Sequence, residues 1–211
     1  MKKLAVLNKI DSGKIMAIVR TQSLERAKEI AAACLAGGVS CLEISYTHFN
    51  ASHLIEELHK EYGEELLIGA GTVLDSETAW EAIMRGAQFI IAPTFKEDVA
   101  KICNRYQIAY MPGCTTVTEA VAALEASAAM IKAFPTSSFW GPNLVAALKT
   151  PLPFIPLLSS GGVTLENVDA WLEAGVDCMG IGSLLTNGNA HTIEEHARLL
   201  RQAVKRYIRR S

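Results

Sequence analysis

The sequence predicts an α/β fold: one (β/α)8 barrel over residues 1–211 with an extra N-terminal helix. Three observations carry that expectation. Short apolar runs of strand length alternate with amphipathic stretches of helical period along the whole chain. Eight such units can be counted, and each strand end follows the last by roughly 20 to 30 residues, leaving no room for further elements. Glycine closes helical runs at Ala36-Gly37-Gly38, Arg85-Gly86-Ala87 and Ala174-Gly175-Val176, where a helix is expected to end.

Taken in order, residues 1–11 form the extra helix, placed to close the bottom of the barrel. Strands are expected at 15–19, 41–44, 66–70, 89–92, 108–111, 130–133, 154–158 and 178–181. Helical patterns occupy 24–36, 54–62, 77–85, 96–106, 118–126, 144–149, 165–174 and 193–208. Trp80 and Trp171 recur among Ala, Ile and Leu at helical spacing and are expected to be packing residues. No linker, low-complexity segment or sequence-identical repeat interrupts the pattern.

Composition excludes several function classes. The chain has 20 Lys and Arg against 22 Asp and Glu, a net charge of -2, so it lacks the basic excess that a nucleic-acid binder uses to neutralise phosphates. Mean hydropathy is high at +0.20, yet charged residues interrupt every apolar run well short of the roughly 18 residues that a membrane span needs. Met1-Lys2-Lys3 opens like a signal peptide, but Asn8-Lys9 closes the apolar stretch after Leu7, and the start reads as mature protein. The five cysteines (Cys34, Cys41, Cys103, Cys114, Cys178) include no Cys-x-x-Cys pair; they read as small buried hydrophobes in a reducing cytoplasm. The histidines show no His-Glu-x-x-His spacing, and His191 and His196, in polar sequence, are expected to be solvated. No metal, cofactor, nucleic acid or membrane partner is expected.

In a barrel enzyme the C-terminal ends of the strands carry the site. Lys132 ends one of them inside Ala-Ala-Met-Ile-Lys-Ala-Phe-Pro, an apolar setting that no other lysine shares. With period 2 it shares the inward face with Met130 and Phe134, while Ile131 and Ala133 face the helices. Desolvation disfavours its ammonium form; a depression of two or three pKa units corresponds to about 3 to 4 kcal/mol and exposes a nucleophilic amine near neutral pH. Glu43 points inward by the same alternation, between Cys41 and Ser45, and offers general acid-base chemistry opposite the amine. The alternative for both is a structural Lys-Glu pair.

Three small-residue loops complete the rim: Gly69-Ala-Gly-Thr72, Ser159-Ser-Gly-Gly162 and Gly180-Ile-Gly-Ser183. The last two follow strands seven and eight, where many barrels hold a phosphate on backbone N-H groups; the alternative is plain tight turns. Arg20, the one arginine on this rim, can clamp a carboxylate or a phosphate, or serve a rim salt bridge. Trp140, after strand six, is a candidate to line the site. The basic end at Lys205-Arg206 and Arg209-Arg210 complements a helix dipole.

Leu-Glu-Ile-Ser at 42–45, Gly-Ala-Gly-Thr-Val at 69–73, Pro-Gly at 112–113, Ile-Lys-Ala-Phe-Pro at 131–135, Ser-Gly-Gly-Val at 160–163 and Gly-Ile-Gly-Ser at 180–183 together resemble the 2-keto-3-deoxy-6-phosphogluconate / 4-hydroxy-2-oxoglutarate aldolase family. The resemblance runs over nearly the whole chain. It implies a (β/α)8 barrel, a homotrimer in the cytoplasm, and a metal-independent retro-aldol cleavage of a keto-acid phosphate through a lysine Schiff base. By position it implies Lys132 as that lysine and Glu43 as the acid-base. It likewise implies Thr72 at the pyruvate carboxylate, Pro93, Phe134 and Ser160 along the substrate, and Gly161, Gly162, Gly182 and Ser183 around the phosphate. Two positions depart. Thr47 stands where many members carry an arginine for the keto-acid carboxylate, and Arg20 is expected to supply that charge from the neighbouring strand. Ser159-Ser160 replaces a common Pro-Thr, which leaves the sugar epimer open between gluconate and galactonate. A metal-dependent epimerase-like barrel and a non-catalytic sugar-phosphate sensor are the other readings; neither explains why Lys132 and Glu43 occur together.

Overall fold

The computed structural model describes residues 2–136 and 140–210. Among these residues there are nine strands: β1 (Ile15–Val19), β2 (Cys41–Ser45), β3 (Leu67–Gly71), β4 (Phe89–Ile91), β5 (Ala109–Met111), β6 (Gly113–Cys114), β7 (Ile131–Ala133), β8 (Leu157–Ser160) and β9 (Cys178–Ile181). All pairings are parallel, in the order β5-β4-β3-β2-β1-β9-β8-β7-β6. The ninth strand arises because the segment expected as one strand at 108–111 continues past Pro112 as a second piece. Its lower half pairs with β4 through Phe89 and Ala109, and its upper half pairs with β7 through Gly113 and Lys132. Proline has no N–H for a ladder, but its carbonyl accepts from the Lys132 N–H at 2.8 Å. One broken segment therefore joins both ends of the sheet and closes the barrel.

The helices are α1 (Lys2–Gly13), α2 (Leu24–Ala36), α3 (Ala51–Tyr62), α4 (Ser76–Met84), α5 (Glu97–Tyr106), α6 (Val117–Glu125), α7 (Pro142–Lys149), α8 (Val168–Glu173), α9 (Ser183–Thr186) and α10 (Ala190–Ile208). Side chains on the strand-to-helix loops cap several of them. Ser23 accepts from the Arg26 N–H, Asp75 from the Thr78 N–H, and Thr116 with Glu119 forms a reciprocal capping box. These caps fix where each loop turns down from the rim.

Four features differ from expectation. The strand placed at 154–158 lies at Leu157–Ser160 instead: Pro153 and Pro156 cannot donate to a ladder, and Phe154 is 74% exposed. The short helix α9 escaped the sequence reading because four residues are too few to show a period. Trp171 is fully buried as expected, but Trp80 is half-exposed on the outer surface, its Nε1–H donating to the Tyr106 hydroxyl at 3.3 Å. His196 also differs from the solvated expectation: packing of α10 on α9 leaves it half-buried, with Nδ1 at 2.9 Å from the Leu184 carbonyl.

Alternation along the strands builds two apolar shells. Outward residues such as Ala17, Leu42, Ile44, Ile68, Ile131 and Leu157 pack against the helices. The lower lumen is filled by Met16, Cys41, Leu67, Phe89, Met111, Met130, Leu158 and Cys178, with Val6 and Ile10 of α1 inserted from below. The extra helix is thus the floor of the barrel. All five cysteines are buried and unpaired, and burial pushes the thiols of Cys34, Cys103, Cys114 and Cys178 up to about 12. Because Ile10 is 1% exposed in that plug, Ile10→Ala is expected to cost about 2 to 5 kcal/mol of unfolding free energy, readable in a urea titration; a loss under about 0.5 kcal/mol would show that α1 adds nothing to the core.

Candidate active site

Directly above the plug, the inward positions change from apolar to polar. Glu43 in β2 is 1% exposed and Lys132 in β7 is 4% exposed. Their neighbours in sequence face the helices, so the fold places a carboxylate and an amine in one lumen, as alternation predicts. The Glu43 carboxylate lies against Gly71 at the top of β3: a Cβ added to Gly71 would stand 1.8 Å from Oε1. Only glycine leaves that space.

Lys132 Nζ sits 4.7 Å from the centroid of the Phe134 ring, a cation–π contact. Burial pushes the amine below its ordinary pKa; the attraction of Glu43 opposes this, and the repulsion of Arg20 adds to it. Lys132 and Glu43 do not approach within the 4.0 Å of an ion pair. The amine is therefore held in an apolar setting between two opposite charges, and not locked to either, which favours a neutral nucleophile at lower pH than a free lysine allows.

A row of hydroxyls lies at the tops of β2 and β3. Thr47 Oγ1 donates to Ser45 Oγ at 3.3 Å, and Ser45 Oγ is 2.9 Å from Thr72 Oγ1. Thr72 adopts φ +60°, a left-handed conformation that a β-branched residue takes only at a cost of about 1–3 kcal/mol. Ser45 is 3% exposed, and alternation marks it in the sequence only as an inward residue beside Glu43. Its polarity at an inward position was the signal that could have marked it.

On the other side, Ser160 is nearly buried on the inward face of β8, and the fully buried Thr136 donates to its carbonyl at 3.0 Å. Thr136 gave no sequence signal, since only the fold brings its loop to β8. Ser159 faces the helix layer, so the hydroxyl at 160 is the one presented to the lumen. Gly161 and Gly162 follow with φ +87° and +81°, and the Gly161 N–H donates to the Gly180 carbonyl at 2.9 Å, tying the two glycine loops together. Gly182 precedes Ser183, the first residue of α9. Arg20 reaches over this side: its Nη1 would be 3.6 Å from a Cβ on Gly182. Pro93, half-buried after β4, turns its carbonyl toward Gly113. Trp140 stands half-exposed just before α7.

The arrangement brings together a buried amine, a buried carboxylate, a row of hydroxyls at the tops of β2 and β3, two linked glycine loops, and a guanidinium near Gly182. The sequence model of the KDPG and KHG aldolase family matches residues 6–201. The chain belongs to that family. It is an aldolase, a carbon–carbon lyase of class I. It is 36% identical to the 2-dehydro-3-deoxy-6-phosphogalactonate aldolase of Escherichia coli K12 over 194 residues, covering 92% of this chain and 94% of that protein. To the KHG/KDPG aldolase of the same strain it is 29% identical over 195 residues, covering 92% and 91%. A solved KDPG aldolase from Legionella pneumophila, with pyruvate captured as a covalent carbinolamine, superposes with a TM-score of 0.83 at 25% identity, covering 92% of this chain and 97% of that one.

The place of Gly71 in this aldolase gives a direct test. A methyl group there must push the Glu43 carboxylate away. Gly71→Ala is expected to fold, to keep an amine that pyruvate can trap, and to lose turnover by roughly 10²-fold. Unchanged turnover would show that the carboxylate need not stand against β3.

Proposed function

We propose that this aldolase cleaves 2-keto-3-deoxy-6-phosphogluconate to pyruvate and glyceraldehyde 3-phosphate, and 4-hydroxy-2-oxoglutarate to pyruvate and glyoxylate, through a Schiff base on Lys132. The observation that carries this reading is the buried amine above the plug, its pKa depressed, facing a carboxylate that it does not touch. The galactonate epimer is the second reading, supported by the 36% identity to the phosphogalactonate aldolase. Parallel assays with the two C4 epimers separate them.

In the proposed cycle, neutral Lys132 Nζ attacks the C2 ketone; the carbinolamine loses water to leave an iminium, which is the electron sink. Glu43, directly or through a water, takes the C4 hydroxyl proton. The C3–C4 bond breaks, its electron pair forms the enamine, and the C4 carbonyl departs as the aldehyde. Protonation of the enamine at C3 regenerates the iminium, and hydrolysis returns pyruvate and free Lys132. Thr72, with Thr47 nearby, takes the keto-acid carboxylate; Pro93, Phe134 and Ser160 line the chain of the substrate; Gly161, Gly162, Gly182 and Ser183 hold the phosphate. For Arg20 the sequence favoured the carboxylate, whereas its position against Gly182 supports the phosphate, and we place it there. The reading includes a homotrimer, drawn from the family resemblance, and a cytoplasmic setting, drawn from five buried unpaired thiols.

Two outcomes are expected. Borohydride with pyruvate adds a reduced pyruvyl group at Lys132 alone, and the trapping rate rises with pH through a midpoint below 10.5, the ordinary lysine value. Since Arg20 disfavours the ammonium and Glu43 favours it, Arg20→Ala moves that midpoint up and Glu43→Gln moves it down. An adduct on another lysine, mapped by peptide mass spectrometry, would overturn the mechanism. Separately, Arg20→Ala is expected to weaken the phosphorylated substrate while sparing pyruvate deuterium exchange and 4-hydroxy-2-oxoglutarate cleavage. Loss of all three activities in steady-state assays would return Arg20 to the carboxylate.

A further inference from the structure

We infer that Ser45 is a positioning residue that sets the direction of the hydroxyl row, leaving Thr72 as a committed donor to the substrate carboxylate. The argument is one of donor accounting. A hydroxyl has one proton to donate and lone pairs to accept. Thr47 Oγ1 donates its proton to Ser45 Oγ at 3.3 Å. Ser45 is 3% exposed, with Thr72 Oγ1 at 2.9 Å as its other partner; either hydroxyl can donate in that pair, and only donation by Ser45 leaves no buried proton of Ser45 without an acceptor. Thr72 Oγ1 then accepts, so its O–H is the one donor in the row with no acceptor among the described residues. Each bond polarises the next, which strengthens that last donor.

The backbone supports the same function. Ser45 pairs in register with Gly71, and the Tyr46 N–H donates to the Gly71 carbonyl at 2.8 Å, so the end of β2 is fixed against the residue preceding Thr72. Thr72 is itself held at φ +60°. What remains free is the rotation of its hydroxyl, and Ser45 removes that freedom. The proposal rests on the reading that Thr72 receives the keto-acid carboxylate.

The experiment measures the pyruvate concentration that half-saturates borohydride trapping of the full-length enzyme, in Ser45→Ala, Ser45→Thr, Thr72→Val and the Ser45→Ala/Thr72→Val double variant. Loss of one directed hydrogen bond predicts a rise of about 5- to 10-fold in Ser45→Ala, with the trapping rate at saturation little changed. Ser45→Thr, which keeps the hydroxyl, restores the parent value, and the alanine adds nothing in the Thr72→Val background. Hydroxyacetone, a ketone without a carboxylate, is trapped equally by parent and Ser45→Ala. Ser45→Cys keeps the volume with a weak donor, so the comparison survives if alanine loosens the strand. An unchanged half-saturation in Ser45→Ala, or an equal rise with Thr72 already removed, overturns the role of Ser45 while leaving Thr72 at the carboxylate. An unchanged value in Thr72→Val overturns the carboxylate reading and the proposal with it.

Discussion

The structure turns on the cost of keeping an amine out of water at the top of β7. A lysine buried without a close anion gives up its proton more readily than one in solvent, and this holds for Lys132 only while the lumen beneath it stays dry and Glu43 stays at a distance. The plug beneath, from Met130 down to Ile10 of α1, supplies the dryness. The gap at Gly71 supplies the distance, because it lets the carboxylate rest against β3. Were Glu43 to close on Lys132, the pair would favour the ammonium, and the nucleophile would be lost to an ion pair with only structural value.

The same lysine is also part of the closure of the barrel. The bond from its backbone N–H to the Pro112 carbonyl belongs to the seam where β6 and β7 meet. Proline suits this position because a carbonyl is all the seam requires of it, while the missing N–H breaks the segment so that its halves can pair with different neighbours. The height of the amine above the plug is therefore set by barrel closure and not by a mobile loop. Positions fixed by rigid elements hold a reacting group to the sub-ångström placement that catalysis needs.

Lys132 and Glu43 were legible in the sequence because each is a charge at an inward position of a period-2 run, a conflict that burial alone cannot explain. Local signals also placed α2 within its residue bounds, since Ser23 caps its start and Gly37 ends it. What escaped depended on pairing between distant segments. The split at Pro112 shows only when both neighbouring strands are in place. β8 starts later than the pattern suggests because Phe154 and Ile155 look like strand residues, and the prolines at 153 and 156 outweigh them. Trp80 satisfied a helical period on a surface where no further layer covers it. Ser45 carries no charge to mark it, and its value lies in two partners, Thr47 and Thr72, that sequence spacing does not connect.

The proposed cycle can run without an arginine at position 47 because of where its charge develops. The keto-acid carboxylate is bonded to C2, the carbon that becomes the iminium, so the positive charge formed on Lys132 is its natural counter-ion. A permanent guanidinium beside the carboxylate would share that anion before and after the iminium forms and so contribute little to the difference between the two states, and only such differences lower a barrier. Neutral hydroxyls orient the carboxylate and leave its charge for the iminium. The phosphate has no such internal partner. It is the group that needs a fixed cation, and Arg20, at the end of β1 between β2 and β9, reaches Gly182 with its guanidinium. In the proposed reading, Arg20 is assigned the preference for phosphorylated substrates, and Ser45 with Thr72 the affinity for any 2-keto acid.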